Sequence, residues 1–427
     1  MNTTTIKDVL VIGGGLAGLT AAATASAQGA DVLVVEAHNP GGRARVTERN
    51  GFTFNHGGHA LYVGGEGVEI LRRLGVQPQG AAPPLDAYQL LIDGRLHRMP
   101  TGATSLLRTT ALGKRSKATL AKLLAKMPRL DPSASSDVSV EDWLADQDLR
   151  DDALGVLRAL IRIGTYSATL DDLSAGAAIQ QLQRATAKGV LYLDGGWAQL
   201  IDGLRRQVEV RSGAAVESIS DAGPGGVEVR LAGGAVIVAK RVVLAAGTPA
   251  ACAALLPSAP DWGDLGDPVT ASCLDLGVRG VPSPGYVLGV DDPVYGTIQS
   301  PPAKQAPDGD SVVAVIRYGA RSAEEDRPQL EAWLPHLGIR PEDVAVSRFL
   351  ARMVVVGAAP RAVNGGLAGR PSITATGVPN VLLAGDWAGP DGMLADAAFA
   401  SGHAAGRQAA TAAGARPRTN AVTMTAS

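Results

Sequence analysis

The sequence of 427 residues contains few of the features that mark disulfide-rich, metal-binding or nucleic-acid-binding proteins. Its two cysteines, Cys252 and Cys273, argue against a disulfide framework and favour a reducing compartment. No cluster of His or Cys surrounds either of them, so we predict no metal site. A net charge of −2 gives no reason to expect a nucleic-acid partner.

Long apolar runs are also missing, because charge or glycine interrupts each run before it reaches about 18 residues. This excludes a transmembrane helix. The first predicted strand begins near Asp8, which leaves no room for a signal peptide ahead of it, so we expect a cytoplasmic protein. Aromatic residues make up only 4% of the chain, whereas its 53 glycines are typical of many tight turns.

A glycine-rich turn near the N-terminus carries the strongest functional signal. A buried strand leads into Gly13, Gly15 and Gly18, a helix follows, and the next strand ends on Glu36. Gly13 would permit the tight turn, Gly15 the approach of backbone N–H groups to a pyrophosphate, and Gly18 close packing of helix on strand. Glu36 is placed to accept hydrogen bonds from a ribose. The pattern predicts a dinucleotide-binding βαβ unit, with a purely structural turn as the alternative.

Further elements are predicted along the chain. Hydrophobic periodicity and turn residues predict the following: a helix at 64–75, a hairpin at 88–98, mostly helices over 104–190, strands at 215–219, 227–231, 235–239, 241–247 and 380–386, and helices at 322–337 and 393–413. The glycines of 223–226 predict a hairpin turn, so we expect no second nucleotide domain for NAD(P)H.

Five stretches, in this order, resemble the flavin-dependent amine oxidase superfamily, and its phytoene-desaturase and protoporphyrinogen-oxidase branch in particular. They are GGGLAGLTAA at 13–22, VVEAHNPGGRAR at 34–45, LDGGWAQLIDGL at 193–204, VVLAAGTPA at 242–250 and VLLAGDWAGPDGMLADAAFASGHAAG at 381–406. The resemblance implies an α/β fold in which an FAD-binding, Rossmann-like, doubly wound domain of the glutathione-reductase type is interrupted by a mixed α+β substrate domain. The FAD-binding domain would comprise 1–62, 190–260 and 375–413, the substrate or cap domain 63–189 and 261–374, and a disordered tail 414–427.

The resemblance also implies FAD as the cofactor. Arg43 would lie beside the pyrophosphate, Asp386 would bond a ribityl hydroxyl or else cap the following helix, and Val216 would contact adenine or else pack in the core. The N–H groups at the start of the last helix would face the pyrimidine side of the flavin. The implied cofactor-binding residues are Gly13, Gly15, Leu16, Ala17, Gly18, Glu36, Ala37, Gly42, Arg43, Gly58, His59, Val216, Gly247, Gly385, Asp386, Gly392, Met393 and Leu394.

Catalytic candidates are fewer, because the cofactor itself carries out hydride transfer. His59 would lie in a loop beside the flavin and could act near neutral pH, or it could be a structural histidine. Other candidates for the pocket wall are Tyr62, Tyr166, Tyr318 and Trp387. The lysine that many amine oxidases hold near the flavin has no clear counterpart, which argues against amine oxidation.

Residues 106–129 carry seven basic side chains and no acidic one. Several leucines accompany them, so the stretch predicts either peripheral contact with a membrane surface or an ordinary solvated helix face.

We therefore predict an FAD-dependent oxidoreductase that oxidises or desaturates a small organic or isoprenoid-like substrate. If the basic stretch contacts a membrane surface, the substrate is expected to be lipophilic. Electrons would pass on to oxygen, a quinone or another acceptor. The alternatives are a flavin amine or amino-acid oxidase, a redox-neutral flavin isomerase, and a non-catalytic flavin-binding protein.

Overall fold

The structure is a computed structural model that describes residues 6–223 and 226–416. Its strands are β1 (Lys7–Ile12), β2 (Val32–Val35), β3 (Val46–Arg49), β4 (Phe52–Asn55), β5 (Leu61–Tyr62), β6 (Gly80–Ala81), β7 (Gln89–Ile92), β8 (Arg95–Arg98), β9 (Val190–Leu193), β10 (Glu209–Arg211), β11 (Val216–Asp221), β12 (Val227–Leu231), β13 (Val236–Leu244), β14 (Val269–Val278), β15 (Val287–Gly289), β16 (Val294–Ser300), β17 (Ser311–Tyr318), β18 (Val344–Val356) and β19 (Val381–Leu383). Its α-helices are α1 (Leu16–Ala27), α2 (Glu66–Arg73), α3 (Ala103–Arg108), α4 (Lys114–Lys126), α5 (Val140–Ala145), α6 (Asp151–Thr165), α7 (Ala175–Lys188), α8 (Ala198–Arg205), α9 (Pro249–Ala253), α10 (Ala323–Ala332) and α11 (Leu394–Ala412).

The first large sheet is organised around β1, a strand with an almost wholly buried apolar sequence. Strands β10, β2, β1, β13 and β19 pair in parallel, and β12 and β11 extend the sheet in antiparallel orientation. Ile12 lies opposite both Val35 and Leu244, so three strands end at the same level. The residues that follow them therefore meet at one edge of the sheet, where open α/β sheets bind ligands.

Strand β13 corrects the sequence prediction of two separate strands, at 235–239 and 241–247. It is one continuous strand. Its first half pairs with β12, whereas its second half pairs with β1 and β19. The polar pair Lys240 and Arg241 lies where the partners change, so the interruption in the hydrophobic pattern marks a change of neighbours and not a turn.

Helices α1 and α11 pack against each other at unusually close range. Both are rich in alanine, and a Cβ atom added to Gly402 or Gly406 would lie 2.3 Å from the carbonyl oxygen of Ala17 or 2.2 Å from that of Ala21, respectively. Glycines four residues apart lie on one helix face, so α11 presents bare backbone to α1. The C-terminal helix is thereby joined to the N-terminal βαβ unit.

The second large sheet has the strand order β18-β14-β17-β16-β15-β7-β8 and is mostly antiparallel. Helix α10 packs on it, and its strands contribute to two apolar clusters, one of which continues into α4 and α6.

Most predicted elements are present, with the usual shortening at their ends. The hairpin at 88–98 is confirmed as β7 and β8, joined by Asp93-Gly94 with positive φ at both residues. Residues 224–225 and 417–427 lie outside the described residues, so the tip of the 223–226 turn and most of the predicted tail are not observed. The division into two domains stays a prediction. Within the described part of the chain, no helix combines the length and hydropathy of a membrane span.

Candidate active site

A cavity of about 1580 Å³ runs from the edge where β1 and β2 end to the helices α3, α4 and α7. One part is walled by the glycine turn and the segments that resemble FAD-binding motifs. The other part is walled mainly by apolar side chains of the helices and by β16. The cavity is large enough for a bulky cofactor together with a second molecule.

The three motif glycines occupy the environments that the sequence predicts. Gly13 has a φ of +106°, and a Cβ atom there would lie 2.3 Å from the carbonyl oxygen of Ala245. A Cβ atom on Gly18 would lie 1.9 Å from the carbonyl oxygen of Gly13, whereas one on Gly15 would meet nothing within 4 Å. The turn is thus packed against the sheet on one side and open to the cavity at Gly15.

Glu36 follows β2 and lines the cavity next to this turn. Its carboxylate accepts hydrogen bonds from the backbone N–H groups of Gly14 at 2.7 Å and His38 at 2.8 Å. These two bonds fix the carboxylate at the cavity wall. Each oxygen retains a lone pair that can accept a ribose hydroxyl.

Arg43 and Asp386 form a two-pronged ion pair, although 343 positions separate them. The guanidinium nitrogens donate to the two carboxylate oxygens over 2.6 and 2.8 Å, and Arg43 also donates to the carbonyl oxygen of Val355 at 2.7 Å. The backbone N–H of Gly357 is a further donor to Asp386. Sequence reasoning assigned both residues to the cofactor site but did not predict this pairing, because nothing local links them.

Most of the other residues implied for the cofactor also line the cavity, namely Leu16, Ala17, Ala37, Gly42, Gly58, Val216, Gly247, Gly385 and Leu394. Gly18, Gly392 and Met393 are not among the lining residues. The Met393 side chain is buried in an apolar cluster with α5, α6 and α7, and the Gly392 carbonyl oxygen accepts a hydrogen bond from Arg370. At the start of the last helix it is therefore Leu394 that borders the cavity.

His59 lies on the cavity wall, and its pKa bears on the first of its two predicted roles, action near neutral pH. Enclosure by the protein lowers its pKa to about 4, although a hydrogen bond to the carbonyl oxygen of Gly57, 3.0 Å from Nδ1, acts in the opposite direction. The expected titration near neutral pH is therefore wrong. The carbonyl oxygens of Gly57 and Arg43 both face the ring, and because a carbonyl oxygen only accepts, Nδ1 carries the proton in the tautomer that bonds to Gly57.

Two tyrosines reach the same loop from the opposite side. Tyr166 ends α6 with a φ of +61°, and its hydroxyl donates to the carbonyl oxygen of Gly58 at 2.9 Å. The hydroxyls of Tyr166 and Tyr295 are also hydrogen-bonded to each other. Since Tyr166 has already given its proton to Gly58, Tyr295 is the donor of this second bond, and its own oxygen is left to accept. Burial raises the pKa of both phenols, so both are neutral.

The remaining catalytic candidates divide between wall and core. Tyr62 lines the cavity, and burial raises its pKa to about 12. Tyr318 lies behind the wall, buried and stacked on Tyr295 with ring centroids 5.4 Å apart. Trp387 packs against Trp262 and donates to the carbonyl oxygen of Gly247 at 2.7 Å, so it belongs to the core and not to the wall.

Sequence reasoning missed Asp396, in the first turn of α11. Its side chain lines the cavity although the residue is only 2% exposed, and one carboxylate oxygen accepts the N–H of Gly67 at 2.9 Å. The other oxygen has no partner among the described residues. Burial raises its pKa to about 6. An acidic residue in a first helical turn is ordinary, so its sequence context gave no signal.

Four features together define a dinucleotide-binding enzyme fold: the parallel sheet, the open glycine turn, the acidic residue after the second strand, and the cavity along the strand ends. A family model described as flavin containing amine oxidoreductase matches residues 16–263, more than half of the chain. The chain belongs to this family and is an FAD-dependent oxidoreductase.

Solved structures share the fold at low sequence identity. An oxidoreductase from Methanosarcina mazei has a TM-score of 0.70 at 19% identity, with coverage of 93% of this chain and 98% of that one. Cyclohexylamine oxidase from Brevibacterium oxydans has a TM-score of 0.69 at 20% identity, covering 95% and 99%. Putrescine oxidase has a TM-score of 0.70 at 17% identity, also covering 95% and 99%. None of the curated proteins matches the sequence significantly.

The residues present fit FAD. Helix α1 has Gly15 as its N-cap residue, with no side-chain cap and no acidic residue in the first turn. The free N–H groups at this end of the helix therefore favour an anion. Gly15 leaves that position open, and the Arg43 guanidinium adds positive charge on the same wall. The glycine turn and Arg43 would hold the pyrophosphate, and Glu36 would hold the adenosine ribose.

Proposed function

We propose that the protein removes a hydride from a bulky, lipophilic and uncharged substrate, in the oxidation or desaturation of an isoprenoid-like or similar organic molecule. The observation that supports this is the apolar part of the cavity. Its wall includes the side chains of Leu85, Met99, Leu106, Leu124, Met127, Leu157, Leu160, Ile163 and Leu182. A charged group placed against these side chains would lose its hydration without compensation. A cation could be compensated by the carboxylate of Asp396, which also lines the cavity.

In the mechanism, FAD supplies the hydride acceptor, at flavin N5. The chain's own residues position the substrate and exclude water from it. The unprotonated ring nitrogen of His59 and the Tyr295 oxygen, both beside the loop at 57–59, can accept hydrogen bonds but carry no charge at neutral pH. They suit the orientation of a neutral group, or the brief acceptance of one proton, better than the binding of an ion.

The main alternative is amine or amino-acid oxidation. Two structural neighbours are named cyclohexylamine oxidase and putrescine oxidase, which favours amines. An amino acid would need a cation for its carboxylate. Arg43 is paired with Asp386 and is assigned to the pyrophosphate, whereas Arg352 of β18 also lines the cavity. The preference for a neutral substrate over an amino acid therefore rests on the apolar wall.

The test is an anaerobic screen for bleaching of the bound flavin by polyenes, porphyrinogens, amines and amino acids. We expect bleaching by a lipophilic neutral compound and none by amino acids. Bleaching by amines alone would contradict the proposal in favour of amine oxidation. Turnover that requires prior reduction, without net bleaching, would indicate an isomerase, and no response to any compound would indicate a non-catalytic flavin-binding protein. Reoxidation by oxygen and by a soluble quinone then distinguishes the acceptors.

We further propose that α3 and α4 contact an anionic membrane surface and that lipophilic substrates enter the cavity between the membrane and these helices. Thr101, Ala103 and Ala121 of this region are exposed and line the cavity, and the basic side chains nearby are mostly exposed. Leu106, Leu112, Leu120 and Leu123, however, are buried in the core, and Leu107 alone of the six leucines of 106–129 is largely exposed, at 76%. The contact would therefore be mainly electrostatic.

Flotation with vesicles containing phosphatidylserine tests this contact, with a Lys122→Gln/Lys126→Gln variant for comparison. We expect flotation of the wild type at low salt and its loss in the variant. Wild-type protein that stays at the bottom of the gradient would contradict the proposed membrane contact.

A further inference from the structure

Strand β16 presents an alternating sequence to the cavity. Tyr295, Thr297 and Gln299 occupy alternate positions of the strand, and Val294 and Ile298 point to the other face. The pairing of β16 with β17 is irregular between Ile298 and Ser300, so the position of Gln299 follows from the cavity lining and not from alternation alone. Tyr295, Thr297 and Gln299 line the cavity, whereas Val294 and Ile298 are buried in an apolar cluster on the far side of the sheet. A polar stripe thus crosses a wall that is otherwise largely apolar.

Gln299 is the unusual member of this stripe. The residue is only 3% exposed, yet its side-chain amide oxygen has no hydrogen-bond partner among the described residues. Leaving a buried amide oxygen unpaired is costly, whereas an apolar residue of similar shape would carry no such penalty. The oxygen itself is enclosed by protein, whereas other atoms of the residue line the cavity. A rotation of the Gln299 side chain would therefore bring the unpaired amide to a ligand that supplies the missing partner.

The hydroxyls beside Gln299 are already paired. Those of Tyr88, Tyr192 and Thr297 form a closed triangle, with oxygen–oxygen distances of 3.0 Å (Tyr88 to Tyr192), 3.2 Å (Tyr88 to Thr297) and 2.9 Å (Tyr192 to Thr297). Each hydroxyl has one proton, so circular donation satisfies all three and leaves lone pairs free to accept. Burial raises the pKa of Tyr88 and of Tyr192, so the group is uncharged.

We propose that the Tyr295–Thr297–Gln299 face of β16 contains a specificity subsite in which Gln299 binds a neutral hydrogen-bonding group of the substrate, such as a hydroxyl. The inference rests on the proposed function for the lipophilic remainder of the molecule. Tyr295 is tied to the loop at 57–59 through Tyr166. Gln299 lies four residues further along the strand, about 13 Å away at the usual rise. The proposed substrate is therefore an amphiphile whose polar group lies well away from the Tyr295 end of the cavity, and not a pure hydrocarbon.

The test compares two lipophilic probes, farnesol and the hydrocarbon farnesene, by perturbation of the flavin absorbance of the FAD-loaded enzyme. Gln299→Met removes the amide while nearly conserving side-chain volume. Ile298→Val, on the opposite face of the same strand, is the matched control. We expect wild type and control to bind farnesol more tightly than farnesene by roughly threefold to tenfold, the worth of one neutral hydrogen bond. Gln299→Met should bind the two probes equally, with farnesene affinity unchanged.

A preference for farnesol that survives Gln299→Met, or a wild type without any preference, would overturn the subsite while leaving the lipophilic substrate class intact. Failure of both probes to perturb the wild-type flavin would overturn the substrate class and the subsite with it. Thermal unfolding gives a second readout: Gln299→Met should unfold at no lower temperature than wild type, because an unpaired amide adds no stability. A clear drop would show that the amide is structural and would overturn its assignment to ligand binding.

Discussion

His59 and Asp396 are both uncharged in the folded protein over a range of pH in which the unfolded chain would carry their charges. The pKa of His59 is lowered from 6.5 to about 4, first by burial, and the pKa of Asp396 is raised from 3.8 to about 6, also by burial. The sign of the effect on stability differs between the two residues. Below pH 6.5 the unfolded chain gains a proton at His59, so stability falls as the pH decreases towards 4. Above pH 3.8 the unfolded chain loses a proton at Asp396, so stability falls as the pH increases towards 6.

Two substitutions should therefore change the pH dependence of stability in opposite ways. His59→Gln should raise stability relative to wild type near pH 4 but not at pH 7, and Asp396→Asn should raise it at pH 7 but not near pH 4. Each gain is at most about 3 kcal/mol, from a shift of about two pKa units. Thermal unfolding at several pH values, with FAD in excess, measures both. Parallel curves for either variant and wild type would contradict the assigned protonation states.

At the scale of single residues, the sequence was sufficient where a role depends on near neighbours. The close packing at Gly13 and Gly18 and the position of Glu36 after β2 could be predicted because strand, turn and helix are contiguous. The neutral state of His59 and the position of Asp396 at the cavity wall could not be predicted. Each depends on segments that are distant in the chain and that enclose the side chain.

The contact between α1 and α11 depends on the two glycines of α11 that face α1. Gly406→Ala would place a Cβ atom only 2.2 Å from the carbonyl oxygen of Ala21. Both atoms belong to the helix backbones, which cannot move aside as the end of a flexible side chain can. We expect a loss of about 2 kcal/mol or more in the free energy of unfolding, despite the better helix propensity of alanine. Chemical denaturation measures it.

Gly164→Ala in α6 is the matched control. A Cβ atom there would meet its nearest neighbours, side-chain atoms of Gln181 and Leu182, at 3.8 and 3.9 Å, an ordinary contact distance. This variant should therefore gain up to about 1 kcal/mol from helix propensity alone. Equal effects of the two substitutions would show that close helix packing does not require Gly406.

At the scale of elements, the periodic patterns predicted the βαβ unit, the hairpin at 88–98 and the final helix. They failed at β13, where one strand changes partners and the polar Lys240 and Arg241 resemble a turn. The alternation of Tyr295, Thr297 and Gln299 is visible in the sequence, but a half-polar strand face is usually solvated. Only the tertiary structure shows that this face lines a cavity.

At the scale of the whole molecule, the cavity proposed to hold the cofactor joins segments from both ends of the chain. The glycine turn and Arg43 come from the first 45 residues, Val216 and Gly247 from the middle, and Asp386 and Leu394 from the C-terminal part. No single segment contains the site. FAD therefore binds the folded chain and not the unfolded one, and its binding free energy adds to the stability of the whole fold.

The unfolding temperature should accordingly rise with FAD concentration, by an amount equivalent to about 2.7 kcal/mol at a hundredfold excess over Kd. Arg43→Met should lose most of this rise, because it removes the charge that faces the pyrophosphate and leaves the buried Asp386 carboxylate without its partner. Arg45→Met is the control: Arg45 is in the same loop and lines the same cavity, but it donates to the carbonyl oxygen of Gly42 and not to Asp386. Arg43→Met will also unfold at a lower temperature without FAD, so the informative quantity is the shift with added FAD. If that shift were the same in wild type and both variants, the Arg43–Asp386 pair would stabilise the fold without contributing to the FAD site.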